Sequence, residues 1–183
     1  RDRLLGSAMG DEDFATSAMP DEVEALARGL GFDVNLVGQR FGTVGVLIEG
    51  RWSEITTFRG DSYEGGTRWP EVRFGASIEE DLARRDFTMN ALAEDTATGR
   101  ELDLFGGRAD IEAGVVRAVG EPETRFREDP LRILRGMRFS SQLDFEVEAA
   151  TVEAMARTAS LLATLSQERV TSELEKLLVG MRP

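Results

Sequence analysis

The hydrophobic period of the sequence changes near residue 121, and this change limits the folds that the chain can adopt. Before that point the apolar runs are short and rich in β-branched residues, which predicts strands at residues 33–37, 43–48, 52–58 and 115–118. A helix is predicted at residues 20–30, because Pro20 suits a first helical turn and Gly31 can end it. Ser77 begins a capping-box pattern that predicts the start of another helix. The first part of the chain is therefore predicted to be a small mixed sheet with helices.

After residue 121 the apolar residues repeat with the period of amphipathic helices. Three groups show this period: Ile133, Leu134 and Met137; Val152, Met155, Ala156 and Ala159; and Val170, Leu174, Leu177 and Leu178. We therefore expect an α+β protein with two domains, at residues 1–121 and 122–183, and a hinge at residues 120–122. Residues 59–70 are rich in Gly, Ser, Asp and Arg without an apolar period, which is typical of a mobile loop.

The sequence contains no histidine and no cysteine. Any catalysis must therefore depend on carboxylates, arginines, hydroxyls or bound ions. The formal net charge of −12 disfavours a large nucleic-acid-binding surface, because affinity for phosphates comes from Lys and Arg. The acidic excess is concentrated in residues 1–121, however, and the second part opens with an arginine-rich stretch. The sequence has no membrane-spanning run and no signal-peptide pattern, so we expect no membrane association and a cytoplasmic location.

Asp11 and Asp13 are separated by one residue and precede the apolar pair Phe14-Ala15. If they lie on a strand, both side chains project from one face, roughly 7 Å apart at the backbone. Carboxylates so placed can hold Mg²⁺, and a pair of such ions can activate an attacking hydroxyl and stabilise a leaving pyrophosphate. Glu54, on a strand expected to lie beside this one, is a candidate third ligand. An acidic turn exposed to solvent is the alternative interpretation.

Residues 84–90 place two arginines, an aspartate and an asparagine side by side. A guanidinium such as that of Arg85 can grip phosphate or ribose oxygens, and a carboxylate such as that of Asp86 can accept from a ribose 2′-hydroxyl. Asn90 adds an amide to the same group. A cluster of surface salt bridges is the alternative here.

Arg132, Arg135 and Arg138 recur at every third residue after Glu128 and Asp129, which predicts that all five share one helical face. An aspartate acceptor and an arginine donor, fixed side by side by a neighbouring glutamate, can pair with the Watson–Crick edge of cytosine or adenine. A solvated helix with ordinary charge pairs is the alternative.

Together and in this order, the three clusters resemble the motifs of class II template-independent RNA nucleotidyltransferases, the family of tRNA CCA-adding enzymes and poly(A) polymerases. The segment RDRLLG at residues 1–6, followed by DEDFATSA at residues 11–18, is similar to the end of the family's GGxVRD element and its DxD motif. Later family motifs are similar to EITTFR at residues 54–59, EEDLARRDFTMNAL at residues 79–92, and RFREDPLRILR at residues 125–135.

The resemblance implies a polymerase-β-like nucleotidyltransferase palm followed by an all-helical neck. It also implies that Asp11 and Asp13 are catalytic and bind Mg²⁺, so that the RNA 3′-hydroxyl attacks the α-phosphate of CTP or ATP. The implied nucleotide contacts are to phosphates from Arg1, to ribose and phosphates from Arg85, Asp86 and Asn90, and to the base from Asp129 and Arg132. Glu128 would orient Arg132, and Arg135 and Arg138 would add positive charge around the triphosphate.

The implied activity is CCA addition to tRNA 3′ ends from CTP and ATP, with Mg²⁺ as cofactor. In such enzymes the loop that corresponds to residues 59–70 helps to switch from CTP to ATP, and its full length here favours complete CCA addition. The glycine pair expected before Arg1 and the body and tail regions expected after Pro183 are missing from this sequence. We therefore expect a portion of a longer enzyme with little activity of its own.

Several alternatives stay open at this point. A bacterial poly(A) polymerase, or a CC-only or A-only enzyme, would carry the same motifs. A non-catalytic nucleotide-binding module would use the same acids and arginines as structural pairs. A hydrolase is disfavoured, because the sequence has neither a GxSxG nor a GxxxxGK[ST] motif. The sequence leaves the oligomeric state open.

Overall fold

The computed structural model of the protein describes residues 1–6, 13–62 and 71–180. Its contacts divide the chain into two compact units. The first unit consists of Gly6–Arg84 with Asp2, and the second of Arg85–Pro183 with Arg1 and Arg3–Leu5. The division of function expected at residue 121 stays a prediction. Within the described part of the chain, no helix is both long and apolar enough to cross a membrane.

A four-stranded sheet forms the centre of the first unit. Its elements are β1 (Asp13–Thr16), α1 (Pro20–Gly29), β2 (Val34–Asn35), a 3₁₀ turn (Gln39–Phe41), β3 (Thr43–Ile48) and β4 (Arg51–Thr57). The strand order is β1-β4-β3-β2, with β1 parallel to β4 and the other neighbours antiparallel. The predicted strand at residues 43–48 is confirmed, the predictions for α1 and β4 are correct to within one residue at each end, and β2 is shorter than predicted.

The two faces of this sheet differ. Helix α1 covers one face, where Val23 and Ala27 pack against Val44 and Val46 of β3. Because side chains alternate along a strand, Gly45 points to the other face, which we call the open face. A single row of paired residues crosses all four strands on the open face, namely Asp13, Glu54, Gly45 and Asn35.

The prediction of a loop from residue 59 is wrong for its first four residues. Arg59–Ser62 forms β5, which pairs antiparallel with β6 (Glu71–Phe74). The Arg59 N–H donates to the carboxylate of Asp81 on α2 (Ile78–Ala83) at 3.3 Å, and Arg84 Nε donates to the Arg59 carbonyl oxygen at 3.0 Å. These long-range bonds leave no signal in the local pattern of the segment. The rest of that predicted loop, residues 63–70, lies outside the described residues.

The second unit is mainly helical, with α3 (Gly107–Ala113), α4 (Pro122–Glu128), α5 (Leu131–Leu143), α6 (Ala149–Thr158) and α7 (Gln167–Leu178). Two short strand pairs accompany them: β7 (Leu92–Glu94) with β8 (Glu101–Asp103), and β9 (Val115–Val116) with β10 (Glu146–Val147). The structure also has 3₁₀ turns at Thr88–Asn90 and Ala159–Thr164. The three helices predicted after residue 121 are confirmed as α5, α6 and α7. Helix α4 was not predicted, because its seven residues carry four charges and little apolar period.

Helix α5 packs tightly on the core of the second unit. Phe87 and Phe126 are fully buried there, and Phe87 meets the ring of Phe139 edge to face, with centroids 5.8 Å apart. Gly136 lies so close to Phe87 that a Cβ at this position would be 2.9 Å from the ring Cζ. The core thus fixes α5 against the segment at residues 86–90, which carries predicted nucleotide-binding residues.

A second close approach sets the position of the 3₁₀ turn Thr88–Asn90. A Cβ on Gly107, the first residue of α3, would lie 2.2 Å from the Thr88 carbonyl oxygen and 2.8 Å from its carbon. The Thr88 hydroxyl also donates to Asp110 Oδ2 on the same helix, at 2.6 Å. Since these neighbouring atoms are backbone atoms, they cannot rotate away as a flexible side chain can.

We expect Gly107→Ala to lower the free energy of unfolding by about 1–3 kcal/mol, because the added methyl group forces α3 and the turn apart. Gly29→Ala is the matched control, since a Cβ there has no neighbour within 4 Å. At the exposed end of α1 this control should be neutral or stabilise by about 0.5–1 kcal/mol. Urea unfolding followed by circular dichroism measures both variants. Equal stability of Gly107→Ala and the wild type would contradict the close approach.

Candidate active site

Two carboxylates lie side by side on the open face of the sheet in the first unit. Asp13 of β1 is the register partner of Glu54 of β4, and both residues are exposed. The expectation that these two strands are neighbours is confirmed. Asp11 lies outside the described residues. Residues 1–6, 13–62 and 71–180 contain no group of three or more His, Cys, Asp and Glu residues that could hold a metal ion. Of the three predicted metal ligands, the structure thus describes Asp13 and the candidate third ligand Glu54, which are neighbours.

Asp86 is the centre of a hydrogen-bond network in the second unit. Its Oδ2 accepts from both Nε and Nη2 of Arg135, at 2.7 and 2.6 Å. Its Oδ1 accepts from the Asn90 side-chain amide at 3.0 Å and from the Phe87 N–H at 2.8 Å. Burial raises the pKa of the Asp86 carboxyl, but the Arg135 guanidinium and these hydrogen bonds outweigh it and hold that pKa below its ordinary value. Asp86 is therefore a buried anion that accepts hydrogen bonds from Arg135, Asn90 and the Phe87 backbone.

Asn90 extends this network to the first residue of the chain. Its Oδ1 accepts from Nη1 of Arg1 at 2.9 Å, while its amide nitrogen donates to Asp86. The 3₁₀ turn that carries Asn90 is fixed by backbone bonds from Thr88 N to Arg117 O and from Val119 N to Asp86 O, at 2.9 and 3.0 Å. Four predicted nucleotide-binding residues are thus joined in one chain of contacts: Arg1, Asn90, Asp86 and Arg135.

Three arginines surround the ring of Phe139 on α5. The guanidinium carbons of Arg1, Arg135 and Arg138 lie 5.2, 5.5 and 4.1 Å from the ring centroid. The ring attracts cations through its quadrupole, so it holds together positive charges that would otherwise repel each other. Phe139 was not among the predicted site residues, because an aromatic residue on an apolar helix face gives only a core signal.

Glu128 lies between two guanidiniums at the junction of α4 and α5. Arg132 Nη1 donates to Glu128 Oε2 at 2.9 Å, and Arg125 Nη2 donates to Oε1. All three side chains are at most 18% exposed, so the pairs are shielded from water and from salt screening. Glu128 is thus paired with Arg132, and its role in orienting Arg132 towards a base stays a prediction.

The expectation that Glu128 and Asp129 share a helical face with the arginines is wrong. Helix α4 ends at Glu128, Asp129 is extended with φ −142° and ψ 101°, and α5 begins only at Leu131. The physical reason is Pro130, whose ring disfavours the helical conformation of the residue before it. The break places Asp129 between α4 and α5, outside the helix that carries Arg132, Arg135 and Arg138.

Asp129 is held by an arginine that the sequence did not reveal. Arg169 of α7 donates through Nη2 to Oδ2 and Oδ1 of Asp129, at 3.0 and 3.3 Å. The Leu131 N–H also donates to Asp129 Oδ1, at 3.1 Å. Arg169 lies forty residues away in the chain, so local spacing carries no sign of the pair.

The remaining two predicted arginines have different surroundings. Arg85 is half-buried and directly precedes Asp86. Arg138 donates through Nε to Glu173 of α7 at 2.6 Å and through Nη1 to Gln142 at 2.7 Å, and it is 11% exposed. Its guanidinium joins α5 to α7, so contact between Arg138 and a triphosphate would require this pair to open. That contact stays a prediction.

The depressed pKa of Asp86 gives a stability effect with a definite sign. The ionised carboxylate stabilises the fold above the ordinary carboxyl pKa of about 4, and this contribution is lost as the pH falls towards the lower pKa of the folded state. We expect Asp86→Asn to reduce the free energy of unfolding by about 2 kcal/mol at neutral pH. The difference between variant and wild type should shrink on acidification.

Urea unfolding from neutral pH down to about pH 3 measures this difference, with Asp33→Asn, at an exposed position of the first unit, as the control. A difference that stays constant over the whole range would show that the Asp86 charge does not stabilise the fold.

Sequence families cover most of the chain. The sequence model of the family described as "Poly A polymerase head domain" matches residues 1–117. A second model, described as "Probable RNA and SrmB- binding site of polymerase A", matches residues 144–183.

Curated relatives extend the likeness to nearly the whole chain. The CCA-adding enzyme of Geobacillus thermodenitrificans is 51% identical over 182 residues, which are 98% of this chain and 44% of that enzyme. The CCA-adding enzyme of Bacillus subtilis is 50% identical over the same shares of the two chains. The chain therefore spans about 44% of the length of the curated relatives that it matches.

Solved structures confirm the predicted α+β fold. The crystal structure of the Bacillus stearothermophilus CCA-adding enzyme in complex with CTP matches with a TM-score of 0.87 and 47% identity, over 98% of this chain and 42% of that one. A tRNA nucleotidyltransferase complexed with a primer tRNA and an incoming ATP analog matches with a TM-score of 0.79 and 31% identity, over 97% of this chain and 52% of that one. Since the head-domain match also covers more than half of the sequence, the chain belongs to the poly A polymerase head domain family, among the class II nucleotidyltransferases that its motifs predicted.

Proposed function

We propose that the full-length protein containing this chain adds CCA to tRNA 3′ ends, with CTP and ATP as substrates and a divalent metal ion as cofactor. One observation carries the proposal: Asp129 and Arg132 are held in place by separate ion pairs, in a chain 51% identical to a CCA-adding enzyme. An acceptor and a donor fixed in this way can select a base without a template strand. A cytoplasmic location is part of this proposal.

The carboxylates of the first unit fit a metal ion. Asp13 and Glu54 are adjacent and exposed on the open face, and Asp11 precedes Asp13 by two residues. Mg²⁺ prefers carboxylates together with substrate phosphates and water. Asp11 and Asp13 would hold it, with Glu54 as a further ligand. When bound, it would acidify the attacking hydroxyl and balance the charge on the leaving pyrophosphate.

The reaction is a displacement at phosphorus. The oxygen of the RNA 3′-hydroxyl forms a bond to the α-phosphorus of the nucleoside triphosphate, and the bond from that phosphorus to the bridging oxygen of the β-phosphate breaks. Pyrophosphate leaves with the bonding electron pair, and the hydroxyl proton passes to solvent. Because little covalent chemistry falls to the protein, its contribution is orientation and charge stabilisation.

The network around Asp86 would bind the ribose and phosphates. Arg1 and Arg135 carry the positive charges for the phosphates, and Arg85 directly precedes this network in the chain. Asp86 and Asn90 fix the two guanidiniums in position, so little side-chain entropy is lost when an anionic ligand binds. Asn90 has a polar side chain suited to a ribose hydroxyl.

Asp129 and Arg132 would read the base. Cytosine and adenine both present an amino donor next to a ring-nitrogen acceptor on the Watson–Crick edge. The Asp129 carboxylate can accept from the amino group, and the Arg132 guanidinium can donate to the ring nitrogen. Uracil and guanine present the opposite order, a carbonyl acceptor next to an N–H donor, so each would leave buried polar groups unpaired.

Extension of a tRNA transcript that ends before its CCA tests the proposal. The full-length protein is given a divalent metal with CTP and ATP, singly and together, and product lengths are read on a sequencing gel. Addition of the complete CCA with both nucleotides, and of two cytidines with CTP alone, is expected. A long ladder with ATP alone would indicate a poly(A) polymerase, and arrest after CC, or addition of A only to a CC end, would indicate a specialist enzyme. No extension would favour a nucleotide-binding module.

We expect Asp13→Ala to abolish nucleotide transfer while the fold survives, because Asp13 is an exposed side chain with no role in the core. Single-turnover incorporation measures the loss, and circular dichroism with thermal unfolding measures the fold. Asp33→Ala, also at an exposed position in the first unit, is the control and should keep full activity. Full activity of Asp13→Ala would eliminate the metal-assisted account.

Arg132→Ala should reduce the preference for CTP over UTP by about tenfold to a hundredfold, since a hydrogen bond to a charged group contributes about 1.5–3 kcal/mol. Triphosphate affinity should change much less. Arg169→Ala should act in the same direction with a smaller effect, because it leaves Asp129 in place but removes its anchor. Arg127→Ala is the control, as Arg127 is an exposed residue of α4 that pairs with Glu123. An unchanged preference for CTP over UTP in Arg132→Ala would contradict the proposal that Arg132 contacts the base.

A further inference from the structure

A groove crosses the open face of the sheet beside Glu54. It has a volume of about 530 Å³ and is lined by residues of β2, β3, β4 and β5 and of the segment between β2 and β3. The lining residues that matter here are Asn35, Phe41, Thr43, Gly45, Glu54 and Arg59. All of them belong to the first unit. Glu54, the register partner of Asp13, is thus part of the groove wall.

Gly45 lines the groove without a side chain and so leaves space above the sheet at this position. It is the register partner of both Glu54 and Asn35, and it lies between them in the row that crosses the sheet. A Cβ at this position would lie 3.2 Å from Asn35 Cβ and 3.5 Å from Cε3 of Trp52. Any side chain here would fill the space that leads away from Glu54.

The aromatic ring of Phe41, with a cation beside it, also lines the groove. Phe41 is 48% exposed, although it is a large apolar side chain. The guanidinium carbon of Arg40 lies 4.5 Å from its ring centroid. Arg59 Nη1 donates to the Phe41 carbonyl oxygen at 2.7 Å, and Arg59 is itself anchored by Asp81 and Arg84. The hydrogen bond from Arg59 therefore fixes the backbone of Phe41, whose ring is exposed.

We propose that this groove holds the single-stranded 3′ end of the RNA acceptor, with the ring of Phe41 stacked on a base and Arg40 and Arg59 next to the phosphates. The inference rests on the proposed function, since it places the attacking strand at the same carboxylates. The 3′-hydroxyl must reach the metal ligands, so the terminal nucleotide must lie beside Asp13 and Glu54. Glu54 and Arg59 both line the groove, and Arg40 lies beside the ring of Phe41.

Stacking suits an acceptor whose last base changes during the reaction. Every base offers a π-face, so an aromatic platform binds single strands with little sequence preference. The base at the 3′ end of the acceptor differs before and after each addition, and a platform of this kind would accept all of these ends. Asp129 and Arg132 are proposed to select the incoming base, so the groove needs no residues that distinguish one base from another.

Binding of two hairpin RNAs by the full-length protein tests this inference independently of turnover. One hairpin carries a short single-stranded 3′ end and the other is blunt, and both are labelled at the 5′ end for fluorescence anisotropy without nucleotide. Phe41→Ala should weaken binding of the hairpin with the single-stranded end about tenfold, because stacking on one base contributes about 1–3 kcal/mol. Binding of the blunt hairpin should not change, and Phe41→Trp should restore the affinity.

Phe32→Ala is the matched control, a partly exposed phenylalanine of the first unit outside the groove lining. Thermal unfolding of each variant shows whether it is folded. Unchanged affinity of Phe41→Ala for the single-stranded end, or equal weakening for both hairpins, would overturn the inference. If Phe41→Ala selectively weakens binding of the single-stranded end but the wild-type protein does not extend a tRNA, the proposed function fails while the groove assignment stands.

Discussion

The buried ion pair between Asp86 and Arg135 is the interaction on which the functional side chains of the second unit depend. A carboxylate 7% exposed must be compensated by donors, and Asp86 obtains them from Arg135, Asn90 and the Phe87 N–H. The pair ties the segment at residues 86–90 to α5, and α5 begins directly after Asp129-Pro130. This ion pair therefore fixes the position of Arg135, one of the arginines proposed to bind phosphate, and holds the helix that also carries Arg132. Phe87 and Gly136 support the same contact from the apolar side.

In the first unit the corresponding constraint is strand register. The pairing of β1 with β4 and of β4 with β3 places Asp13, Glu54 and Gly45 in one row, so the proposed metal site and the proposed acceptor groove both depend on the same backbone hydrogen bonds. A shift of one residue would turn these side chains towards α1. The net charge of −12 is compatible with this proposal, in which some acids would bind metal, others form ion pairs, and a few fixed arginines would contact RNA.

Much of the fold was predictable because it is encoded locally. The strand at residues 43–48 and the helices α1, α5, α6 and α7 follow from apolar periods and end signals. Strand β5 and helix α4 were not predictable from those signals, since Asp81 and Arg84 anchor one and a charged sequence forms the other. In the candidate site the motif residues were predicted from their spacing and from the family resemblance, whereas the contacts of Arg169 and Phe139 arise only in the folded chain. The placement of Asp129 outside a helix depended on Pro130, whose effect on the preceding residue the arginine spacing concealed.

A crystal structure of the full-length protein with CTP and Mg²⁺ would test the central claim most directly, namely that Asp129 and Arg132 read the base. The account predicts the cytosine amino group within about 2.7–3.2 Å of an Asp129 oxygen, and the ring nitrogen N3 at a similar distance from an Arg132 nitrogen. The pairs of Arg132 with Glu128 and of Asp129 with Arg169 should persist in that complex. The account would be contradicted if the cytosine edge faced solvent or contacted other residues while Asp129 stayed paired with Arg169 and Arg132 with Glu128.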